Sequence, residues 1–514
     1  MKRLLLAMRG GRARRSALAC LSLIAVCSQS IAATGVDESA IYGLPPVIDD
    51  QLAPAAHYSA YLYDDGADAD EGDLELTMED RMKAIEGKYD DLSEDYDALS
   101  GKYDELKSKM KNAAFAGHSD ATMKVNGRIH ADIWGFPGTS PGVNAFESGS
   151  PDISPQDRFG FRRLRFGVKG DIWQNMLYKI EMEFAGGNKS EFRDAYLGWK
   201  DLPIFREVLL GNQKRPYGLD HLNSSRFNVF MERPFIIEGN NQDSRRFGLC
   251  SYGYSEDEAW NWRFGTFNQE LTQATGNYVS DHWQMEFAAR MANTWWYDES
   301  SGGRGYGHWA VSGAYANPGG GAPGQAPNQA EFQTRPEARS SSRWLDTGTI
   351  VGARDYELLG LENVWNFGPL QITGEYQNVW LQRQGNTDLN FYGAYVYVAY
   401  FLTGEHMPWD RESGTLDRIY PFENFFLVDT CRDGVRGGWG AWQVAYRWSY
   451  ADYTDQDIMG GVGESHTVGL NWYWNAYSRM QFNCGYGDID EHAPVAGFSS
   501  GHYTYLGTRF MVDF

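Results

Sequence analysis

The sequence predicts an all-β transmembrane β-barrel of about sixteen antiparallel strands, preceded by an α-helical coiled coil. Three observations predict it. From Thr122 onward apolar and polar residues alternate with a period of two, as in a strand wet on one side and greasy on the other. Beyond the N-terminal segment no apolar stretch is long enough for a spanning helix, so any insertion into lipid has to use strands. Aromatic residues make up 15% of the chain, with 18 Trp and 31 Tyr, and in the barrel region they gather at both ends of the apolar faces, where interfacial girdles form.

The elements follow in chain order. Residues 1–32 read as a secretory signal: Lys2, Arg3, Arg9, Arg12, Arg14 and Arg15 precede a short apolar run over 17–26, and Ser30-Ile31-Ala32 offers small residues for cleavage. That segment holds six basic residues and no acid, so its removal takes the net charge from −22 to −28. Cys20 after Leu18-Ala19 leaves a lipoprotein cleavage as the alternative. Residues 33–73 include Pro45-Pro46 and the acidic run DDGADADEGD, a flexible solvated linker.

Residues 74–112 carry a heptad. Met82, Tyr89, Tyr96, Tyr103 and Met110 occupy the a positions, and Met78, Ile85, Leu92, Leu99 and Leu106 the d positions. One helix with this seam exposes its stripe, so a homo-oligomeric coiled coil is expected. Tyrosines at a favour a core wider than a dimer, such as a trimer. At 1.5 Å per residue the helix would reach about 50 Å.

Residues 122–514 form the barrel. Leu164, Phe166 and Val168 alternate with Arg163, Arg165, Gly167 and Lys169. Val468, Leu470, Trp472 and Trp474 alternate with Gly469, Asn471 and Tyr473. In the final stretch Leu506, Phe510, Val512 and Phe514 share one face, and Tyr503, Tyr505, Arg509 and Asp513 the other. It resembles the closing strand of a bacterial outer-membrane barrel, whose terminal aromatic is read by assembly factors. Short connections are expected at Gln174-Asn175, 186–190, Phe367-Gly368-Pro369 and Asn475-Ala476; long ones at 137–157, 218–242, 318–342 and 404–438. Short turns on one rim and long loops on the other is the asymmetry of an outer-membrane barrel.

Residues 161–233 contain FRRLRFGVKGDIW, YKIEMEFA, FRDAYLGWKD and LLGNQKRPYGLDHLNSSRFNVFMER in that order; YFLTGE, GAWQVAYRWSYAD and GLNWYWN come later. This series resembles the phosphate-selective porin O/P family over essentially all of 122–514. The resemblance implies a homotrimer of sixteen-stranded barrels in the outer membrane, inward-folded loops forming a constriction, and arginines and lysines lining an anion path, with no catalysis and no cofactor. Phosphate or polyphosphate would be the solute. The coiled coil and the acidic linker lie outside the match.

Anion selection needs fixed positive charge facing water in a narrow pore. A guanidinium suits phosphate because its fork grips two oxygens. Alternation places Lys124, Arg128, Arg163, Arg165, Lys169, Lys179, Arg263 and Arg290 on the wet face. The pair Arg162-Arg163 matches the family's constriction pair, with Arg163 in the better phase. Arg226 and Arg233 match inner-loop positions, and Arg335, Arg339 and Arg343 cluster in a later loop. Alternation points Arg193 outward. Against this, Glu181, Glu183, Asp194, Glu286 and Glu375 also face inward, and arginines paired with them would only brace the wall.

Cys250, Cys431 and Cys484 remain after the signal, an odd number without CxxC spacing, which indicates neither a disulfide framework nor a zinc site. HExxH, GxSxG and P-loop motifs are lacking, and the glycines of 319–324 sit among prolines. No metal, enzyme or nucleic-acid function is indicated. Three alternatives stay open: a general non-selective porin, a barrel anchoring a coiled-coil tether to the cell wall, and a soluble secreted aromatic-rich binder.

Overall fold

The structure is a computed structural model that describes residues 121–514, apart from 187–189, 242–244, 270–283, 319–327 and 431–433. The signal, linker and heptad expected over 1–112 lie outside the described residues. Sixteen strands close into one antiparallel barrel. They are β1 (Lys124–Thr139), β2 (Arg158–Ile172), β3 (Met176–Glu183), β4 (Glu191–Leu202), β5 (Arg206–Lys214), β6 (Arg245–Tyr254), β7 (Trp260–Asn268), β8 (Met285–Tyr297), β9 (Gly305–Ala316), β10 (Ala353–Phe367), β11 (Leu370–Arg383), β12 (Leu389–Phe401), β13 (Ala441–Asp455), β14 (Ile458–Asn475), β15 (Ser478–His492) and β16 (Gly501–Asp513). Closure is made by β1 against β16, with Arg128 opposite Asp513 and Ile133 opposite Thr508.

The barrel is greasy outside and polar inside. On β1, Val125, Ile129 and Ile133 are 40–49% exposed, whereas Arg128, His130 and Asp132 are at most 5% exposed. Leu506, Phe510, Val512 and Phe514 lie outside, and Tyr503, Tyr505, Arg509 and Asp513 inside. Leaving one such apolar side chain in water forgoes about 1.5–3 kcal/mol. Repeated around the whole wall, that surface requires hydrocarbon, and closure removes the unpaired edges that lipid cannot satisfy.

Two of the expected connections fall on the other rim. The short link 184–190 joins β3 to β4 on the same rim as the long loops 140–157, 215–244 and 317–352. The long connection 402–440 joins β12 to β13 on the turn rim, beside 298–304 and 368–369. Arg304 shows this directly: its carbonyl accepts from Gly368 N at 2.7 Å and its Nη2 donates to Gly404 O at 2.8 Å. Connection length is an unreliable guide to side here, because the first half of 402–440 does not hang in solvent. Its first half turns into the barrel, where Trp409 stacks on Tyr306 at 5.2 Å and Met407 and Leu416 are buried.

The interior is divided. Along β10–β16, Phe391, Tyr395, Tyr453, Tyr503 and Tyr505 pack against Phe230, Met231, Phe235 and Ile236 of 215–244, and against Phe332, Trp344 and Leu345 of 317–352. That half is a dry core. A polar cavity of about 810 Å³ remains along β1–β7.

Candidate pore site

Two β-bulges decide which charges face the cavity. In the β1–β2 pairing His130 lies opposite Arg163 and Ala131 opposite Phe161, so Arg162 is an extra residue on β2. A bulge of this kind aims two successive side chains to one side. Both arginines of the pair therefore line the cavity, while Phe159 and Phe161 are exposed, Phe161 also bordering the cavity. In the β3–β4 pairing Ile180 lies opposite Ala195 and Met182 opposite Phe192. Arg193 and Asp194 thus both oppose Glu181. Arg193, expected to point outward, lines the cavity instead.

All ten candidate cations, Arg128, Arg162, Arg163, Arg165, Lys169, Lys179, Arg226, Arg233, Arg335 and Arg339, line this one cavity, joined by Lys214, Arg245, Arg263 and Arg343. Two further expectations differ. Lys124 is exposed and lies outside the cavity lining. Arg290 is fully buried against Glu362 at 2.7 Å under the inserted turn-rim segment, whose Gly414 O accepts from it at 3.0 Å.

Their partners sort them. Arg128 meets Glu181 at 3.0 Å. Arg165 spans Glu181 at 2.9 Å and Glu183 at 2.6 Å. Arg162 grips both oxygens of Glu232 at 2.7 and 2.9 Å. Lys179 pairs with Asp194, Arg226 with Asp513 at 3.0 Å, and Arg233 with Asp220 at 3.5 Å. These six brace the wall or the inner loop. Among the described residues the other four have no carboxylate within 4.0 Å. Arg163 reaches only His130 Nδ1 at 3.3 Å, Arg335 donates to Ser340 O at 3.1 Å, and Lys169 and Arg339 have no hydrogen bond or ion pair.

The loop 215–244 is held inward by the wall. Gly218 adopts φ +80, and a Cβ there would meet Gln377 Nε2 at 2.9 Å, so the turn requires glycine. Past it, Leu219 N and Asp220 N both donate to Glu375 at 2.7 Å. Farther along, Arg509 binds Glu232 at 2.7 Å and Arg479 donates to Asn228 O at 2.8 Å. Burial pushes the Glu232 carboxyl up, but Arg162 and Arg509 together outweigh it and hold it well below the usual range. Conversely the Arg339 guanidinium is drawn down, by Arg162 first and burial second. A guanidinium stays protonated at neutral pH, so this describes a cluster of positive charge that an anion would relieve.

The profile of the phosphate-selective porin O and P family matches residues 123–514. The chain belongs to this family. It is an outer-membrane porin, a channel rather than an enzyme. An uncharacterized protein of Caulobacter vibrioides is 22% identical over 409 residues, covering 77% of this chain and 74% of that one. Porin O of Pseudomonas aeruginosa is 30% identical over 133 residues, covering 24% of this chain and 27% of that one. Among solved structures, an anion-selective porin from Comamonas acidovorans is 14% identical with a TM-score of 0.45, covering 76% of this chain and 99% of that one. The outer membrane channel DcaP of Acinetobacter baumannii is 12% identical with a TM-score of 0.44, covering 78% and 99%.

Sequence reasoning missed several pore contributors. Lys214 sits within the segment LLGNQKRPYGL, outside any alternating stretch that marks its side; its Nζ donates to the carbonyls of His221, Leu222 and Asn223 at 2.7–2.9 Å. Arg245 opens a strand without an alternating context before it. Glu232 lies beside Arg233 at the end of the FNVFMER stretch, with no sequence signal for its partners. The inserted turn-rim segment gave no signal beyond its glycines and charges.

Proposed function

We propose that this porin passes small anions, phosphate or polyphosphate foremost, through the cavity along β1–β7. One observation carries the reading: Arg163, Lys169, Arg335 and Arg339 line the same cavity without a carboxylate partner among the described residues. Positive charge facing a wet path beside low-dielectric wall attracts anions. Several moderate sites let an anion leave again, which one deep site would hinder. The chain's net charge of −22 does not oppose this, because ions respond to the charge beside the constriction and bulk charge is screened over about 8–10 Å.

The family's phosphate-selective description supports the solute class. Homotrimeric assembly agrees with the heptad at 74–112, whose tyrosine a positions favour more than two strands. That helix is read as periplasmic, and a cell-wall tether through it is compatible with conduction. The test is the reversal potential of the purified trimer in planar bilayers under unequal potassium chloride, with phosphate then titrated in. A chloride-favouring potential and phosphate block of the chloride current are expected. A cation-favouring or zero potential overturns the proposal.

A further inference from the structure

Arg335 and Arg339 reach the cavity from the connection 317–352, whose described residues make two small two-stranded pairings. Something else has to fix where its two guanidiniums lie. Glu337, midway between them, has φ +58, a left-handed conformation that a residue with a side chain adopts only when its surroundings demand it. Its N–H donates to Arg335 O at 2.8 Å, closing a tight turn.

The side chain supplies the demand. Glu337 is 3% exposed, and its carboxylate accepts from Arg447 Nη2 at 2.7 Å, Ser465 Oγ at 3.1 Å and Thr467 Oγ1 at 3.4 Å, all on the dry wall. Its other oxygen accepts from Phe235 N at 3.1 Å, within the inner loop. One buried carboxylate thus pins the 317–352 connection to β13, to β14 and to the inner loop at once. The residues two before and two after it, Arg335 and Arg339, are left facing the cavity.

We propose that Glu337 is the positioning residue of the anion path, fixing the turn that presents Arg335 and Arg339 to the passing ion. It touches no solute itself, and it acts through the two arginines. The inference rests on the anion-selective reading above. Removing the anchor frees the turn, and the guanidiniums spread over many positions instead of one.

The experiment compares wild type, Glu337→Gln, Glu337→Gln/Arg447→Gln, Arg335→Ala/Arg339→Ala and the combination Glu337→Gln/Arg335→Ala/Arg339→Ala, each as a membrane-extracted, heat-modifiable barrel. The readout is the phosphate concentration that half-blocks the chloride current. Glu337→Gln should raise it severalfold, and should add nothing when combined with Arg335→Ala/Arg339→Ala. The double variant removes both buried charges, so it keeps the test open should Glu337→Gln alone fail to assemble, and it should raise the half-block similarly. An unchanged half-block in an assembled Glu337 variant overturns the proposal. An effect that fully adds to the arginine substitutions overturns it too, since Glu337 would then act elsewhere. A wild type without phosphate block brings down the anion-selective reading instead, which separates the two failures.

Discussion

Arg163 and Arg165 stand two residues apart on the wet face of β2, yet only Arg165 is neutralised. Arg165 lies between Glu183 at 2.6 Å and Glu181 at 2.9 Å, while Arg163 meets nothing closer to a counter-charge than the His130 ring at 3.3 Å. Two side chains of one type on one strand face have become a brace and an open charge.

The difference predicts opposite consequences. Arg163→Ala should weaken phosphate block and move the reversal potential toward zero, with little loss of stability. Arg165→Leu leaves Glu181 with Arg128 alone and Glu183 with the Leu164 N–H, each one charged partner short in a buried site, and a lost hydrogen bond to a charged group costs about 1.5–3 kcal/mol. Denaturant midpoints of refolded barrels should therefore fall for Arg165→Leu and hold for Arg163→Ala. Equal falls would refute the distinction.

Glu232 holds the inner loop by Arg162 on β2 and Arg509 on β16. Glu232→Gln strands the Arg162 guanidinium, while Arg509 keeps Asp132 at 2.6 Å, and breaking a buried pair costs about 3–5 kcal/mol. Single-channel recordings should show a larger and noisier conductance as the loop leaves its seat. A quiet wild-type conductance would mean that the remaining anchors, Glu375 among them, suffice.

The same clamp sets an expectation for pH. Arg162 and Arg509 hold Glu232 well below its usual range in the folded barrel. A depressed carboxylate contributes stability above its unfolded value of about 4.3 and loses it only as pH falls through the lower folded value. Conductance noise should therefore be the same at pH 7 and at pH about 5. Noise that rises by the more acidic condition would show that the two arginines do not hold the carboxylate.

Arg162 is the extra residue of a bulge, so its deletion should leave strict alternation from Phe161 to Arg163 and keep Phe159 and Phe161 toward lipid. The deleted chain should still assemble as a heat-modifiable barrel, while losing the Glu232 clamp. Deleting Phe166 instead puts the wrong faces toward lipid and should abolish assembly. If both deletions assemble alike, register is not what the bulge controls.

Trp409 seats the inserted turn-rim segment, with its ring on Tyr306 and its Nε1 donating to Thr294 Oγ1 at 3.1 Å. Burying an aromatic of this size contributes about 3–5 kcal/mol against alanine. Trp409→Ala should loosen the segment and widen the conduit, read as increased flux of neutral sugars into liposomes. Unchanged swelling rates would show that the segment does not border the conduit.

The barrel was legible because alternation is local: one glance along residues 502–514 separates Phe510 and Val512 from Arg509 and Asp513. Of the ten candidate cations, Arg128, Arg163, Arg165, Lys169 and Lys179 are legible for the same reason, whereas Arg162, Arg226, Arg233, Arg335 and Arg339 rest on the family resemblance; all ten line one cavity. Pairing was not legible, because Glu232 is 70 residues from Arg162 and Glu337 is 110 from Arg447. The bulges were hidden too, since one inserted residue breaks the period that alternation relies on. That is why Arg193 was read as outward and Arg162 as out of phase. The rim of 402–440 depended on the parity of strands before it, which length and composition do not encode.

The dry half of the interior has a mechanical consequence. Among the described residues the polar cavity follows the arc of the first seven strands, while tyrosines and folded loops pack most of the remaining arc into a rib. Buried carboxylates such as Glu337 tie the rib to the loops that reach the cavity, so a change in the rib is felt on the wet side as well. The protein has in effect split one cylinder between a load-bearing member and a conduit, and the carboxylates that clamp the inner loops couple the two.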